Sequence, residues 1–199
     1  MTYSDFTAEQ LTSGFGIKFA ADDKLRRASP VSPSAWLTES LQIAQASGYG
    51  SDKSRTERLV SPLLLEIMRH NRQAVAFASG KLLDADPAAG LTGTCDFAAS
   101  HTRIQDALLP PLFFVVTIAQ LQDMELGLLE CAAQLVGAAR LNERWGKPVA
   151  TLYGCATSGV EWRFMRLTNN ELVFDNTHFC IDDTARLLGA FQHLISLAK

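Results

Sequence analysis

The sequence predicts a mixed α/β fold, a central mixed β-sheet flanked by helices. Three observations predict it. Residues 112–120 (LFFVVTIAQ) form a continuous apolar run rich in Phe and Val, the pattern of a strand covered on both faces. Residues 123–145 read as a long helix, with acids near its start and Arg140 and Arg144 near its end, where they complement the helix dipole. Residues 149–155 read as another strand directly afterwards, so the helix bridges two strands as a crossover connection does.

The other elements fall around this unit. Residues 34–47 (SAWLTESLQIAQAS) place Trp36, Leu37, Leu41 and Ala44 at helical spacing, and Gly48 ends the helix. A second helical stretch runs from Asp52 to about Arg72. Pro62 inside it calls for a kink or restart, because proline suits only the first turn of a helix. Residues 74–79 are a short strand candidate, Asp84-Ala85-Asp86-Pro87 a polar turn, and residues 92–100 (TGTCDFAAS) the next strand. Residues 161–167 pair with 149–155 across a turn at residues 156–159, residues 171–174 offer a further strand, and residues 183–197 a closing helix. Ser13-Gly14-Phe15-Gly16 lacks the lysine and longer glycine spacing of a phosphate loop and reads as a turn. Residues 34–199 are expected to form the domain and residues 1–33 an N-terminal extension.

Composition bounds the function. At 199 residues and 47% hydrophobic side chains, the chain is long enough for a substantial core and too apolar for disorder. No run approaches the ~18–20 apolar residues of a membrane helix, and the opening MTYSDFTAEQ lacks a signal-peptide pattern. A soluble, cytoplasmic protein with no membrane partner is expected. Lys and Arg number 18 against 21 Asp and Glu, a net charge of −3, which argues against coating nucleic acid by bulk charge. Cys95, Cys131, Cys155 and Cys180 stand singly, with no Cys-x-x-Cys pair, and are expected to be buried free thiols. The four histidines show no metal-ligand spacing.

Four segments carry a resemblance. They are Ser51-Asp52-Lys53-Ser54-Arg55-Thr56-Glu57 leading to Pro62 and Glu66; Gly90-Leu91-Thr92-Gly93-Thr94-Cys95-Asp96-Phe97; Gly127-Leu128-Leu129-Glu130-Cys131-Ala132-Ala133-Gln134; and Tyr153-Gly154-Cys155-Ala156-Thr157-Ser158-Gly159-Val160-Glu161-Trp162-Arg163-Phe164. In this order the chain resembles the PD-(D/E)XK nuclease superfamily and, more narrowly, looks like a bacterial group of small proteins related to the N-terminal nuclease domains of type I restriction subunits. The resemblance covers about two thirds of the chain. It implies a restriction endonuclease-like core in αβββαβ order. It also implies an Asp on one strand and Glu-x-Lys on the next, with carboxylates holding Mg²⁺ and the lysine serving the attacking water.

The Asp is present as Asp96, and strand alternation is expected to put Thr94, Asp96 and Ala98 on one face and Cys95 and Phe97 on the other. The resemblance aligns Thr117-Ile118-Ala119-Gln120 with the Glu-x-Lys strand, so Ile118 stands at the Glu position and Gln120 at the Lys position. An isoleucine cannot ligate a metal, and a glutamine supplies neither charge nor a titratable nitrogen. Glu130 replaces a helix glutamine that supports the site in the family, while Gln134 still matches.

The expectation is a nuclease scaffold without metal-dependent activity that works as a binding, regulatory or assembly module. It needs no cofactor; Mg²⁺ or Mn²⁺ would serve any remaining activity. The alternative is a divergent nuclease in which Asp96 is joined by a carboxylate from elsewhere, with Glu57 or Glu66 on the early helix, or Asp123, Glu125 or Glu130 after the strand, as sources. Lys53, Arg55, Arg58, Arg69 and Arg72 could form a nucleic-acid patch or the solvated side of a helix, and a homodimer is possible on this reading. Trp36, Trp145 and Trp162 are expected to pack in the core or at its rim.

Overall fold

A computed structural model describes residues 1–71, 75–102, 104 and 107–198. Arg72 and Ala74, which the sequence assigns to a helix end and a strand start, lie outside the described residues. The chain builds α1 (Ala8–Phe15), β1 (Lys18–Asp22), α2 (Ala35–Ser47), α3 (Asp52–Arg55), α4 (Ser61–His70), β2 (Ala76–Asp86), β3 (Leu91–Ser100) and β4 (Leu112–Ile118). It continues through α5 (Met124–Arg144), β5 (Thr151–Thr157), β6 (Glu161–Thr168), β7 (Glu171–Asp175), β8 (Phe179–Cys180) and α6 (Thr184–Leu197).

One open mixed sheet has the order β1-β7-β6-β5-β4-β3-β2, with β8 added to β6. The segment β2-β3-β4 is an antiparallel meander; α5 then returns the chain so that β5 runs parallel to β4, with Val116 opposite Cys155. Strand β1 closes the far edge in parallel with β7. From Phe114 to Ile118 successive residues of β4 serve opposite faces, while Phe113, at the register shift, shares the face of Phe114; both faces are covered, which is why the apolar run is continuous. Phe114 and Val116 pack towards α2, α4 and α6, and Val115 packs against α5.

Residues 1–33 are built into this core. Tyr3, Phe6, Leu11 and Ile17 are buried with α5 and β2, and the Tyr3 hydroxyl donates to the Leu83 carbonyl at 3.0 Å. The expected turn at residues 13–16 is instead the end of α1, with only Gly16 left-handed at φ 68°. A capping box at Thr7 and Gln10 starts the helix, the Thr7 hydroxyl accepting from the Gln10 N–H and the Gln10 side chain from the Thr7 N–H.

Two other boundaries move for identifiable reasons. Strand β2 continues through Asp84 to Asp86, because buried Leu83 and Ala85 alternate with exposed acids; the turn falls at Pro87–Ala89, with Gly90 at φ 82°. The helix break anticipated at Pro62 takes the form of a wide π turn over Thr56–Val60. Pro62 has no N–H to bond the preceding turn, and the Ser61 hydroxyl donates to the Thr56 carbonyl at 2.9 Å.

Cysteine burial holds at three positions. Cys95, Cys131 and Cys155 are buried and free, but Cys180 is exposed. It lies on the two-residue β8, where alternation points Phe179 into the core and Cys180 outward. Trp162 is fully buried, whereas Trp36 and Trp145 are exposed.

Candidate functional site

Strand β3 stays paired with β4 only as far as Phe97, opposite Val116. Beyond that point the Asp96 side chain bridges the gap, its Oδ2 accepting from the Ile118 backbone N–H at 2.7 Å. Burial raises the Asp96 carboxyl above the ordinary aspartate value, partly offset by this hydrogen bond.

Strand β4 offers Thr117 and Ile118 to opposite sides. Thr117 is buried towards α5, where its hydroxyl donates to Gln134 Oε1 at 3.0 Å. Ile118 packs on the far face, against the cluster of α2, α4 and α6. Gln120 lies beyond the strand end and is exposed. Ile118 and Gln120 therefore lie in different surroundings, one against the far cluster and the other in solvent.

The residues that do gather around Asp96 come from α5. Gln134, fully buried, receives the Thr117 hydroxyl and the Cys95 thiol (3.5 Å) on its oxygen and donates to Glu130 Oε1 at 3.3 Å. Burial, reinforced by the charge of Asp96, raises the Glu130 carboxyl. Burial chiefly, with Glu130 and Asp96 adding to it, pushes the Cys131 thiol up to about 12. Close approach of α5 to the end of β4 requires glycine at Gly127, since a Cβ there would overlap Ala119.

Alternation in β3 slips at Asp96. Cys95 and Ala98 both lie in the cluster under α5, while Phe97 and Ala99 pack on the other face, so the expected split of Cys95 from Ala98 is not observed. Across the sheet, Thr117 pairs with Ala156 and Ala156 with Arg163, whose buried Nε has no hydrogen-bond partner among the described residues. The sequence offered only the alternation of Glu161, Arg163 and Met165 as a signal for that placement.

The other candidate acids are elsewhere. Glu57 is exposed on the π turn, 3.9 Å from Lys53. Glu66 is fully buried but joined to α2. It accepts from the Ser34 N–H and hydroxyl, both at 3.0 Å, and meets Arg69 at 3.1 Å and His70 at 3.3 Å. Asp123 occupies the N-cap of α5, without a side-chain capping bond, and Glu125 is exposed in the first turn.

Of the basic series, Arg55, Arg58 and Arg69 bond within the chain, Lys53 is exposed, and Arg72 lies outside the described residues. Arg55 is buried, its Nε donating to the Ser158 carbonyl at 2.9 Å and its guanidinium pairing with Asp52. Arg58 donates to the Ser47 and Gly48 carbonyls, and Arg69 pairs with Glu66.

Among the described residues, no three or more His, Cys, Asp or Glu side chains are grouped to hold a metal ion. No helix among them is long and apolar enough to cross a membrane. No protein-family model and no curated protein matches the chain. What fold and site define is a mixed α/β protein with two half-buried carboxylates, Asp96 and Glu130, and a buried amide where α5 covers the end of β4.

Proposed function

We propose that the chain is a PD-(D/E)XK nuclease-fold protein that has lost metal-dependent phosphodiesterase activity and acts as a binding, regulatory or assembly module. The observation that carries this reading is the Asp96 hydrogen bond to the Ile118 backbone. The one acid at its expected position is turned to the main chain of the next strand, whose side chain at 118 is alkyl and leaves on the other face. The meander of β2, β3 and β4 followed by α5 and a parallel β5 fits the αβββαβ order that the resemblance implies.

Mg²⁺ needs carboxylate ligands beside substrate phosphate oxygens. Ile118 and Gln120 do not fit that role, so no catalytic step follows from them. A second reading rests on Glu130. Its carboxyl feels the charge of Asp96, so in a divergent Mg²⁺-dependent endonuclease Glu130 rather than Glu57 would be the second ligand.

Calorimetric titration with Mg²⁺ and Mn²⁺, paired with DNA and RNA cleavage assays, tests the choice. We expect no heat of binding in the millimolar range and no cleavage. Cleavage that disappears in both Asp96→Ala and Glu130→Gln would establish the second reading instead.

A further inference from the structure

On the sheet face opposite Asp96, a cavity of about 230 Å³ lies between the C-terminal half of α6 and strands β5, β6 and β7. Leu25, Phe164, Val173, Leu194 and Leu197 make its walls apolar. An empty apolar cavity of about 150 Å³ holds benzene, so this one has room for a ring and a small headgroup.

Tyr153, Arg166 and Lys24 bring donors to it, beside the buried Asp175 carboxylate and the exposed His193. Tyr153 is 5% exposed, and its hydroxyl has no hydrogen-bond partner among the described residues. Burial keeps that phenol protonated, because it raises the pKa despite the neighbouring Arg166. Arg166 sits opposite Tyr153 in the β5–β6 pairing, anchored by a two-point bond to Asp22 at 3.2 and 2.7 Å. A guanidinium has five N–H donors, so this anchor leaves about three for another partner. Lys24 stands at the mouth, 71% exposed and 3.7 Å from Asp22.

The acceptors on the wall already hold partners within the chain. Each Asp175 oxygen accepts one backbone N–H, that of Leu25 at 2.8 Å and that of Thr177 at 2.9 Å, which also fixes the Leu25 wall. Thr151 and Thr168 bond each other at 3.0 Å. The unmatched groups among the described residues are thus the Tyr153 hydroxyl and the remaining Arg166 donors, which an acceptor-rich headgroup on an apolar body would satisfy. A carboxylate held at Tyr153 and Arg166 makes stronger bonds than a neutral carbonyl, since hydrogen bonds to ionised groups are about twice as strong, and this works against the repulsion of the Asp175 carboxylate on the same wall.

We propose that this cavity binds a small carboxylic acid with an aromatic or branched apolar body, its carboxylate directed at Tyr153 and Arg166. It is independent of the chemistry at Asp96.

Benzoate is the probe, titrated into the ¹⁵N-labelled full chain. Saturable amide shifts are expected to cluster at Leu25, Val173 and Leu194, and benzyl alcohol should bind at least tenfold more weakly. Tyr153→Phe, which removes one oxygen from a buried ring, should weaken benzoate about fivefold, the effect of one lost hydrogen bond. Leu194→Trp should fill the cavity and abolish binding. If that variant does not fold, nuclear Overhauser contacts from the benzoate ring to the Leu194 and Val173 methyls in the unaltered chain locate the ligand instead. Non-saturating or scattered shifts, or unchanged affinity in Tyr153→Phe, would overturn the site; benzyl alcohol binding as tightly as benzoate would overturn the carboxylate.

Discussion

Replacing Asp96 by Asn and by Ala should shift stability in opposite directions at pH 7. The carboxylate does two things: it accepts the Ile118 N–H at 2.7 Å, and it holds a charge in a half-buried place beside Glu130. Asn keeps the acceptor and removes the charge; Ala removes both. Because burial outweighs the hydrogen bond and the folded-state pKa is raised, ionising Asp96 opposes folding. Asp96→Asn should therefore stabilise the protein by about 1 kcal/mol at pH 7, the scale of desolvating a partly exposed polar group. Asp96→Ala leaves the Ile118 N–H without its partner and should cost about 1–3 kcal/mol.

The pH dependence follows from the same direction. A group with a raised folded pKa is penalised only where it is ionised, so the parent chain regains stability as pH falls below the folded-state pKa towards the ordinary aspartate value of about 4. The advantage of Asp96→Asn should shrink across that window. Urea denaturation from pH 4 to pH 8 measures it. A destabilised Asp96→Asn at pH 7 would refute the reasoning, since it would mean that a cation or metal ion favours the ionised form. Repeating the series in Mg²⁺ separates those two: a metal at Asp96 would stabilise the parent chain and not the variant.

Other outcomes follow from the same contacts. Burial alone would raise the Glu66 carboxyl, but the Ser34 hydrogen bonds and the Arg69 charge hold it below the ordinary glutamate value. Its contribution is therefore complete above that value and lost as pH falls through the lowered one. Glu66→Ala leaves the Ser34 N–H without its partner and should cost about 1–3 kcal/mol by chemical denaturation, and Glu66→Gln less. Ile118→Glu puts a carboxylate against the apolar cluster on the side away from Asp96, so we expect about 1–3 kcal/mol of destabilisation and no gain in Mg²⁺ affinity by calorimetry. In the native chain a thiol reagent should label Cys180 within minutes. Cys95, Cys131 and Cys155 should react only on unfolding, their thiols buried and raised in pKa.

The architecture was legible wherever burial shows as local periodicity. The β4 run, the long α5 and the strands after it could be read because each carries its own apolar pattern. So could the arrest at Pro62, although not the π turn it produces. The capping box that starts α1 is also present in the sequence at Thr7 and Gln10, a signal that the glycines at 14 and 16 obscured. The acids of β2 likewise suggested a turn where their alternation with Leu83 and Ala85 makes a strand.

Local pattern alone set which segments become strand or helix, because backbone propensity and one-sided burial act over a few residues. It also set the chemical character of Asp96, Ile118, Gln120 and Gln134. Tertiary structure decided which of them meet. A slip of one residue in β3 gathers Cys95 and Ala98 under α5, and because β3 joins β4 only from Phe97 onward, Asp96 just before it turns to the Ile118 main chain rather than to its side chain. The same holds for residues 1–33, whose apolar side chains complete the core beneath α5, and for the Tyr153 cavity, whose walls come from β5, β6, β7, α6 and the segment at Leu25. These are contacts between residues tens to more than a hundred positions apart, fixed by packing and register, for which no local sequence pattern exists.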